Sequence, residues 1–404
     1  MNARPTHLTG RHYRTGRPVR LEIASGNIRS ATEPSGLNSA EADLHWIAPG
    51  FFDLQSNGYG GQEFSSPRLT IESVLKIGGQ QASFGVTQFC PTVTTAGYET
   101  LEHSLRTIAA ACQQADSRAR VIAGIHLEGP YITREDGPRG AHPLEHCRPP
   151  DWDEFRRLQD AAAGRIRILT LSPEYPRAGA FIGRVVQSGV VVAIGHTTAD
   201  SSQIRAAVDA GASLSTHLGN GAGRMLRRHP NYIWDQMADD RLMASLIVDG
   251  HHLPAEVVQS MVRAKTPARC LLVSDLSGLA GLPPGRYSTE LCELEILPEG
   301  RLVIAGQDQL LAGAAAPIGA GVANVMRFAG LELAMAVSMA SHHPCRLLGL
   351  AENHLLPGDA ADAVLFDLER SATGRVSDLA VRATLTGGEL SVVDQARFCQ
   401  PAAC

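Results

Sequence analysis

The sequence lacks the features that mark several common classes of protein. It contains no run approaching the ~18 apolar residues of a membrane-spanning helix, and its N-terminal segment has no apolar core typical of a signal peptide. Basic residues are not in excess, because 36 Lys and Arg face 41 Asp and Glu for a net charge of −5. A basic face for nucleic acid is therefore not expected. We expect a cytoplasmic protein whose partners include neither a membrane nor a nucleic acid.

Cysteine pairs of the CxxC type are also absent. Without such pairs and without an export signal, we interpret the cysteines as reduced thiols. Cys90 and Cys270 lie in apolar strand-like runs and are predicted to be core residues. A G-x-S-x-G motif is missing as well, so nothing indicates a serine nucleophile. The cysteines are Cys90, Cys112, Cys147, Cys270, Cys292, Cys345, Cys399 and Cys404.

The middle of the chain, residues 49–355, alternates between short apolar runs and amphipathic stretches. The stretches 201–212 and 254–265 carry apolar residues at helical spacing. Alternating runs and helices predict a (β/α)8 TIM barrel, whose parallel strands are buried on both faces and therefore continuously apolar. The runs are WIAPGFFDLQSN, GVTQFCPTV, RVIAGIHLEGP, RIRILTLSPE, VVVAIGHTTAD, ASLSTHLGN, ASLIVDGHH and RCLLVSDLSGLAG.

The two ends of the chain differ from this middle part. Residues 1–48 and 356–404 contain short β-like pieces separated by turn residues, such as RHYRTGRPVRLEIASGN and RATLTGGELSVV. Since 404 residues exceed one small domain, we expect the two ends to form a small β-sandwich beside the barrel.

Polar side chains of the ligand type occur where the apolar runs end. Barrel enzymes build their active sites at the carboxyl ends of the strands, so we expect these side chains to gather in one site. Adjacent residues of a strand point to opposite faces, so at most one of His251 and His252 is expected to face it. The strand-end residues are Gln55, Asn57, Glu128, Glu174, His196, His217, Asp249, His251, His252 and Asp275.

Glu128, His196 and His217 are oxygen and nitrogen ligands of the kind that zinc takes in catalytic sites, where three protein ligands leave one position open for water. We therefore predict one divalent metal ion, zinc, on these residues. Asp275 ends the eighth run and is the predicted general base, which passes a proton from water to a leaving amine. Each residue alone has a structural alternative: a histidine can be hydrogen-bonded, Asp275 can cap a helix, and Glu128 can pair with an arginine.

Motifs in a fixed order carry a family resemblance from residue 49 to about residue 315. They are PGFFDLQSNGYGG, HLEGPY, GAH, LSPE, GHTTAD, STHLGN, VDGHHL, LVSDLSGLAG and LAGAA. In these motifs the chain resembles the N-acetylglucosamine-6-phosphate deacetylases of the amidohydrolase superfamily. The resemblance implies an enzyme that hydrolyses N-acetylglucosamine-6-phosphate to glucosamine-6-phosphate and acetate with a divalent metal.

The resemblance also implies roles for individual residues. Glu128, His196 and His217 match the family's metal ligands, and Asp275 matches its catalytic aspartate. His142 in GAH matches a histidine that polarises the substrate carbonyl. The positions that match substrate contacts are Asn220 and Gly221 at the phosphate, His252, Leu311, and Arg228, which in some members reaches the neighbouring subunit's site and so implies a homodimer.

Two parts of the sequence depart from the family pattern. Gln55-Ser56-Asn57 stands where many amidohydrolases carry His-x-His for a second metal, and amides are poor zinc ligands, so one metal is expected. The phosphate loops read GNGAGRM and RRHPNYIW. Arg227, Arg228 and His229 are compatible with a phosphate site but also with a solvated basic turn.

The altered loops keep other substrates open, namely N-acetylgalactosamine-6-phosphate or an unphosphorylated N-acyl amino sugar. Tyr232 and Trp234 are expected to pack at an interface rather than line the sugar, and His342 and His343 are expected to be structural. A cyclic amidase or deaminase on the same barrel is a further alternative, but cyclic amidases often need a modified lysine, and lysine is scarce here. A non-catalytic sugar-binding barrel is disfavoured by the intact Asp275 and ligand set.

Overall fold

The structure is a computed structural model that describes residues 6–34, 44–289 and 293–393. Its strands are β1 (Thr6–His12), β2 (Pro18–Ala24), β3 (Asn27–Thr32), β4 (Trp46–Pro49), β5 (Phe51–Ser56), β6 (Gly58–Tyr59), β7 (Gln62–Glu63), β8 (Val86–Thr94), β9 (Ile125–Glu128), β10 (Ile166–Leu171), β11 (Val191–Ile194), β12 (Leu214–Ser215), β13 (Met243–Ile247), β14 (Cys270–Val273), β15 (Gly285–Ser288), β16 (Glu293–Ile296), β17 (Leu302–Ile304), β18 (Gln307–Leu311), β19 (Ala363–Arg370), β20 (Val376–Thr386) and β21 (Glu389–Val392). Its α-helices are α1 (Ile71–Gln80), α2 (Tyr98–Cys112), α3 (Ser117–Arg120), α4 (Trp152–Ala161), α5 (Ala178–Gln187), α6 (Ser201–Asp209), α7 (Tyr232–Ala238), α8 (Ala255–Lys265), α9 (Ile318–Ala329), α10 (Leu333–Met339) and α11 (His342–Leu347).

Eight parallel strands form the predicted barrel, in the order β5-β8-β9-β10-β11-β12-β13-β14. The ring closes between its first and last strands through backbone hydrogen bonds from Asp275 to the carbonyl of Gln55 (2.9 Å) and from Asn57 to that of Leu276 (2.7 Å). The residues of β5, β9 and β14 are buried throughout. Burial on both faces explains the mainly apolar character of these runs: β14 is apolar throughout, whereas β5 and β9 also contain buried polar residues.

The helices between the strands are amphipathic. The carboxylate of Asp200 caps α6 by accepting hydrogen bonds from the backbone amides of Ser202 and Gln203, and the Gln203 side chain bonds back to the Asp200 backbone. Ile204 and Val208 then lie in the main hydrophobic core. α6 and α8 confirm the two helices predicted from spacing. Over the described residues, no helix has both the length and the apolar character that crossing a membrane requires.

The two ends of the chain meet in one seven-stranded sheet, in the order β21-β20-β19-β4-β1-β2-β3. β4 joins the two halves, because it pairs in parallel with β1 and antiparallel with β19. The predicted barrel with a separate β-domain from both termini is therefore confirmed; that domain, expected as a β-sandwich, is built on this one mixed sheet in the described residues. The domain limits, 1–48 plus 356–404 and 49–355, remain a proposal, and residues 35–43 and 394–404 lie outside the described ranges.

The run WIAPGFFDLQSN is two strands rather than the single strand that its apolar character predicted. β4 belongs to the terminal sheet and β5 to the barrel, with Gly50 between them. A side chain at Gly50 would clash with the side chain of Thr87 on the neighbouring barrel strand. Glycine is therefore needed where the chain passes from one sheet to the other.

A four-stranded antiparallel sheet, β15-β16-β17-β18, lies between the last barrel strand and α9, and the sequence analysis did not predict it. Its connections contain the turn glycines Gly300 and Gly306, both with left-handed φ values of 88° and 80°. Leu294 and Leu311 of this sheet line the central cavity. The insertion therefore forms part of the wall around the site.

The described cysteines are free thiols. Cys90, inside the barrel, and Cys270 have no solvent exposure, as predicted. Cys292, Cys399 and Cys404 lie outside the described residues.

Candidate active site and metal centre

Six of the ten predicted strand-end residues line one cavity of about 270 Å³ at the carboxyl end of the barrel, among them the four predicted to bind the metal or act as the base. Glu128 is the last residue of β9, and His196, His217 and Asp275 each lie two residues beyond the end of β11, β12 and β14. All four side chains are buried. The barrel thus brings together residues that are separated by up to 147 positions in the chain, from 128 to 275.

Glu128, His196 and His217 form a compact group of possible metal ligands. Oε1 of Glu128 lies 3.2 Å from Nε2 of His196 and 3.1 Å from Nε2 of His217, and the two nitrogens are 3.1 Å apart. Ligand atoms bound at about 2.0–2.1 Å around a tetrahedral zinc are separated by about 3.3 Å. The spacing of the three atoms therefore fits one small divalent ion.

The hydrogen bonding of His196 also fits a metal ligand. Its Nδ1 lies 2.9 Å from the carbonyl oxygen of Pro138. A carbonyl can only accept, so Nδ1 carries a proton, and Nε2, which faces Glu128 and His217, is the nitrogen that a metal ion would bind. Metal-bound histidines are usually held by such a bond on the second ring nitrogen.

The backbone is strained at three of these residues. His196, His217 and Asp275 have left-handed φ values of 47°, 31° and 53°. Such conformations are costly for residues other than glycine and concentrate at functional sites. Close packing maintains them: Gly221, with φ of 56°, lies where a side chain would approach Nδ1 of His196 to 2.8 Å.

The three candidate ligands stabilise each other's charges. Burial opposes ionisation of Glu128, but the hydrogen bonds from His196 and His217 outweigh it and hold the pKa of this carboxyl well below its usual range. Burial likewise disfavours the charged form of His217, but the bond to Glu128 raises its pKa. An ionised carboxylate at the end of an apolar strand is thus compensated by positive charge, from imidazolium or from a metal ion.

Asp275 lies beside this group, bound by two side-chain amides. Oδ1 of Asp275 accepts hydrogen bonds from Nδ2 of Asn57 at 2.8 Å and from Nε2 of Gln55 at 3.0 Å. The same Gln55 nitrogen lies 3.2 Å from both carboxylate oxygens of Glu128. Burial and the charge of Glu128 raise the pKa of Asp275 to about 6, which suits a general base near neutral pH.

His142 lies over the group from the loop after β9. Its Nε2 is 3.3 Å from Nε2 of His196, and burial, followed by the charge of His196, lowers the pKa of His142 to about 3. Arg139 supports the loop, because its guanidinium bonds the His142 carbonyl oxygen at 2.9 Å and pairs with Asp136. Sequence reasoning missed Arg139, although it lies next to the GAH motif.

Four of the five predicted substrate-contact residues line the cavity: Asn220, Gly221, His252 and Leu311. Nδ2 of Asn220 is buried and has no hydrogen-bond partner among the described residues. Arg228 is different, because it is exposed and does not line the cavity. Its contact with the phosphate remains a prediction.

A wider groove of about 1250 Å³ opens beside the cavity and shares His142 with it. Arg139, Arg224 and Arg227 are among the residues that line it. Tyr232 is buried within the chain, where its hydroxyl oxygen accepts a hydrogen bond from the Gly223 amide at 2.8 Å.

His252 faces the cavity, whereas His251 is exposed. Both lie beyond the end of β13 at Ile247, so the alternation of faces along a strand is not the reason. Nδ1 of His252 lies 2.8 Å from Oδ2 of Asp249, which leaves Nε2 available for a ligand. Asp249 therefore orients His252 and does not line the cavity. Burial opposes ionisation of Asp249, but the bond to His252 outweighs it and lowers the pKa to about 2.

Glu174 does not belong to the site, although its position after a strand predicted it. Its carboxylate does not line the cavity and accepts hydrogen bonds from the hydroxyls of Thr133 and Ser172 and from the amide of Thr198. Three adjacent loops are held together in this way. Glu174 is therefore a structural residue.

The pair His342 and His343 lies away from the cavity. Nε2 of His342 is 2.8 Å from the carbonyl oxygen of Asn353, and Nδ1 of His343 is 2.7 Å from that of Cys270. These bonds agree with the structural interpretation of the pair. His342 also lies near Glu352 and His354, but its Nδ1 contacts Ser338 at 3.1 Å, so both ring nitrogens are already engaged.

Comparison with known proteins identifies the family. The sequence profile of the amidohydrolase family matches residues 46–391 of this chain. The chain belongs to the amidohydrolase family. The N-acetylgalactosamine-6-phosphate deacetylase of Escherichia coli O157:H7 is 34% identical over 350 residues, which are 86% of this chain and 90% of the relative. The N-acetylglucosamine-6-phosphate deacetylase of Bos taurus is 33% identical over 353 residues, which are 85% of this chain and 83% of the relative.

Solved structures extend this similarity to the fold. A mutant of N-acetyl-D-glucosamine-6-phosphate deacetylase from Mycobacterium smegmatis, in complex with N-acetyl-D-glucosamine-6-phosphate, superposes with a TM-score of 0.83 at 32% identity. The match covers 96% of this chain and 99% of that one. The resemblance to the deacetylases that the motifs indicated is confirmed, as is the barrel fold of these amidohydrolase enzymes.

Proposed function

We propose that this amidohydrolase hydrolyses the N-acetyl amide of N-acetylglucosamine-6-phosphate to give glucosamine-6-phosphate and acetate. The observation that carries the proposal is the buried group of Glu128, His196 and His217, whose ligand atoms face one another beside the carboxylate of Asp275. The relatives named for this reaction on linear amides of amino sugar phosphates support it.

One divalent ion, which we propose to be zinc, would be held by Glu128, His196 and His217. When bound, such an ion lowers the pKa of a coordinated water and polarises a carbonyl group. Gln55 and Asn57 are not proposed as ligands of a second zinc ion, since amide oxygens are poorer zinc ligands than imidazole. Their amide nitrogens instead bond the carboxylate of Asp275.

Asp275 and His142 would carry out the proton transfer and charge stabilisation. Asp275 would take a proton from the attacking water and deliver it to the amide nitrogen, so that the C–N bond breaks and a neutral amine leaves. With a proton on Nε2, His142 would donate a hydrogen bond to the carbonyl oxygen as negative charge develops there. Asn57 and Gln55 would hold Oδ1 of Asp275, leaving Oδ2 to face the water.

The sugar phosphate would occupy the cavity beside the GNGAGRM loop. The unpartnered Nδ2 of Asn220 and the backbone of Gly221 would hold the phosphate, while His252 and Leu311 would contact the sugar. Arg228 is exposed, so we propose a homodimer in which the Arg228 of one subunit reaches the phosphate bound in the other. The exposed Trp234, 51% accessible, is available for that interface.

N-acetylgalactosamine-6-phosphate is the second candidate substrate, because the Escherichia coli O157:H7 relative with 34% identity is named for it. A cytoplasmic location is also proposed. The free state of the described cysteines, including the partly exposed Cys112, is compatible with a reducing compartment.

Acetate release from four compounds tests the proposal. Zinc-loaded protein is mixed separately with N-acetylglucosamine-6-phosphate, N-acetylgalactosamine-6-phosphate and the two unphosphorylated sugars. We expect acetate and an equal amount of free amine from the first compound, with much slower release from the unphosphorylated sugars. Preference for the galactosamine compound would select the second candidate, and equal rates with and without phosphate would contradict the phosphate site.

A further inference from the structure

A chain of hydrogen bonds crosses the barrel interior directly beneath the candidate ligands. Nδ1 of His126 lies 3.2 Å from the carbonyl oxygen of Leu54, and Nε2 lies 2.7 Å from Oγ1 of Thr170. Oγ1 of Thr170 in turn lies 2.7 Å from Oγ1 of Thr216. All three polar side chains are buried, with exposures of 2%, 0% and 3%.

The donors and acceptors of this chain have one consistent arrangement. A carbonyl oxygen only accepts, so the proton of a neutral His126 is on Nδ1 and its Nε2 must accept from the hydroxyl of Thr170. That hydroxyl has a single proton, so Thr170 in turn accepts from Thr216. Each group is thereby satisfied without water, and replacing any member leaves a buried polar atom unpaired.

Gly195 lets the two threonines meet. β11 runs between β10 and β12, and a side chain on Gly195 would lie 2.8 Å from Cγ2 of Thr170 and 3.0 Å from Cβ of Thr216. The absence of a side chain just beyond the end of β11 therefore permits a direct bond between Thr170 of β10 and Thr216, just beyond the end of β12.

Two members of the chain, and the glycine between the threonines, lie close to candidate ligands in sequence, whereas Thr170 is on β10, which carries no ligand. His126 lies two residues before Glu128, Gly195 one before His196, and Thr216 one before His217. His196 and His217 have strained φ values of 47° and 31°. Strained backbone persists only where its surroundings fix it. The chain bonds β9 to β10 and β10 to the residue before His217, and the residue before His196 packs against both threonines.

We infer that His126, Thr170 and Thr216 form a positioning network that sets the spacing of Glu128, His196 and His217 for the metal. The inference rests on the metal site of the proposed function and extends it below the ligands. None of the three touches a ligand atom at hydrogen-bond distance, so the network acts through the backbone of three strands. Its function is preorganisation, which determines how tightly the ligands bind the metal.

Replacing Thr170 tests the inference with matched variants. Thr170→Val keeps the shape and removes the hydroxyl, whereas Thr170→Ser keeps the hydroxyl. Thr384→Val is the control for loss of a buried hydrogen bond elsewhere, because Thr384 in the terminal sheet is fully buried and donates to the Ala82 carbonyl at 2.6 Å. The measurements are zinc affinity by competition with a chelator, the visible absorption spectrum of the cobalt-substituted protein, and the melting temperature of the metal-free protein.

We expect Thr170→Val to weaken zinc binding by about 10- to 100-fold, the range for partners that orient metal ligands, and to alter the cobalt spectrum. Thr170→Ser and Thr384→Val should bind zinc within about threefold of the unchanged protein. Unchanged affinity and spectrum in Thr170→Val would overturn the inference, as would an equal loss of affinity in Thr384→Val. If Thr170→Val does not fold, Thr216→Val is used instead, because it removes only the hydroxyl at the end of the chain. The same measurements on this variant then test the inference. Failure of the unchanged protein to bind zinc would instead refute the proposed metal site itself.

Discussion

Nδ2 of Asn57 donates a 2.8 Å hydrogen bond to Oδ1 of Asp275. Nε2 of Gln55 reaches the same oxygen at 3.0 Å. These amides occupy the positions where a His-x-His pair would bind a second metal. Because both amide nitrogens are engaged with Asp275, these two residues orient the proposed base. Amide oxygens are also poor zinc ligands, so we propose a single ion on the ligands of the other strands.

Removal of the Asn57 amide is predicted to change the pH dependence of hydrolysis. Burial and the charge of Glu128 raise the pKa of Asp275 to about 6, and the bond from Asn57 lowers it by favouring the charged form. Asn57→Ala should therefore raise this pKa, by roughly half a unit to one unit for one hydrogen bond. The base works only when it is deprotonated. As the pH is lowered, kcat/KM of Asn57→Ala should therefore begin to fall at a higher pH than kcat/KM of the unchanged protein. If kcat/KM falls at the same acidic pH in both proteins, Asn57 does not control the pKa of Asp275.

Asp275→Asn should abolish turnover and leave the metal in place. The substitution keeps the size of the side chain but removes its ability to take a proton, and general base catalysis contributes about 10²- to 10⁴-fold. Turnover and zinc content by elemental analysis are measured on the same sample. If hydrolysis remains within a few fold of the unchanged protein, another group is the base.

His196→Ala is predicted to lose metal, with His142→Ala as its control. His196 offers Nε2 to the group formed with Glu128 and His217, whereas His142 is proposed to bind the substrate carbonyl. Both variants should lose activity, but only His196→Ala should lose zinc after dialysis against a weak chelator. A full equivalent of zinc in His196→Ala would remove that residue from the ligand set.

Asp53→Asn should change how stability depends on pH. Oδ1 of Asp53 accepts bonds from the backbone amides of Gln55 and Ser274, and the Ser274 hydroxyl donates to Oδ2. Burial raises the pKa of Asp53 to about 7, so the folded protein holds this proton more tightly than the unfolded chain. The contribution to stability is complete below the unfolded pKa of about 4 and is lost as the pH rises to about 7, by at most about 1.4 kcal/mol per pH unit.

Melting temperatures from about pH 5 to about pH 8 check the sign of this effect. The amide that Asp53→Asn introduces does not titrate, so this variant should gain stability relative to the unchanged protein as the pH rises. A constant difference between the two proteins over this range would show that Asp53 does not titrate there.

The main features of the fold and site could be predicted from the sequence because they depend on local patterns. Continuous apolar runs identify parallel strands, and polar residues two positions beyond such runs, such as His196 and His217, identify the site. Contacts between distant loops leave no such pattern. Glu174, like Glu128, follows an apolar run in the sequence, yet the hydroxyl of Thr133 and the amide of Thr198 engage it away from the cavity.

Other features escaped prediction for related reasons. β4 and β5 are separated only by Gly50, whose role depends on Thr87 of another strand. The support of the His142 loop by Arg139 depends on a turn geometry that composition does not indicate. His126 and Thr170 are isolated polar residues within apolar strands, and only the closed barrel shows that they bond each other.

The central claim is that hydrolysis needs a single metal ion. The most direct test is to titrate the metal-free protein with zinc and to follow acetate release from N-acetylglucosamine-6-phosphate. We predict no hydrolysis without metal, a rate that rises linearly with zinc, and a plateau at one equivalent per chain. The same titration of His196→Ala should give no rise below several equivalents. Acetate release by the metal-free protein, or a plateau only at two equivalents, would contradict a single ion held by Glu128, His196 and His217.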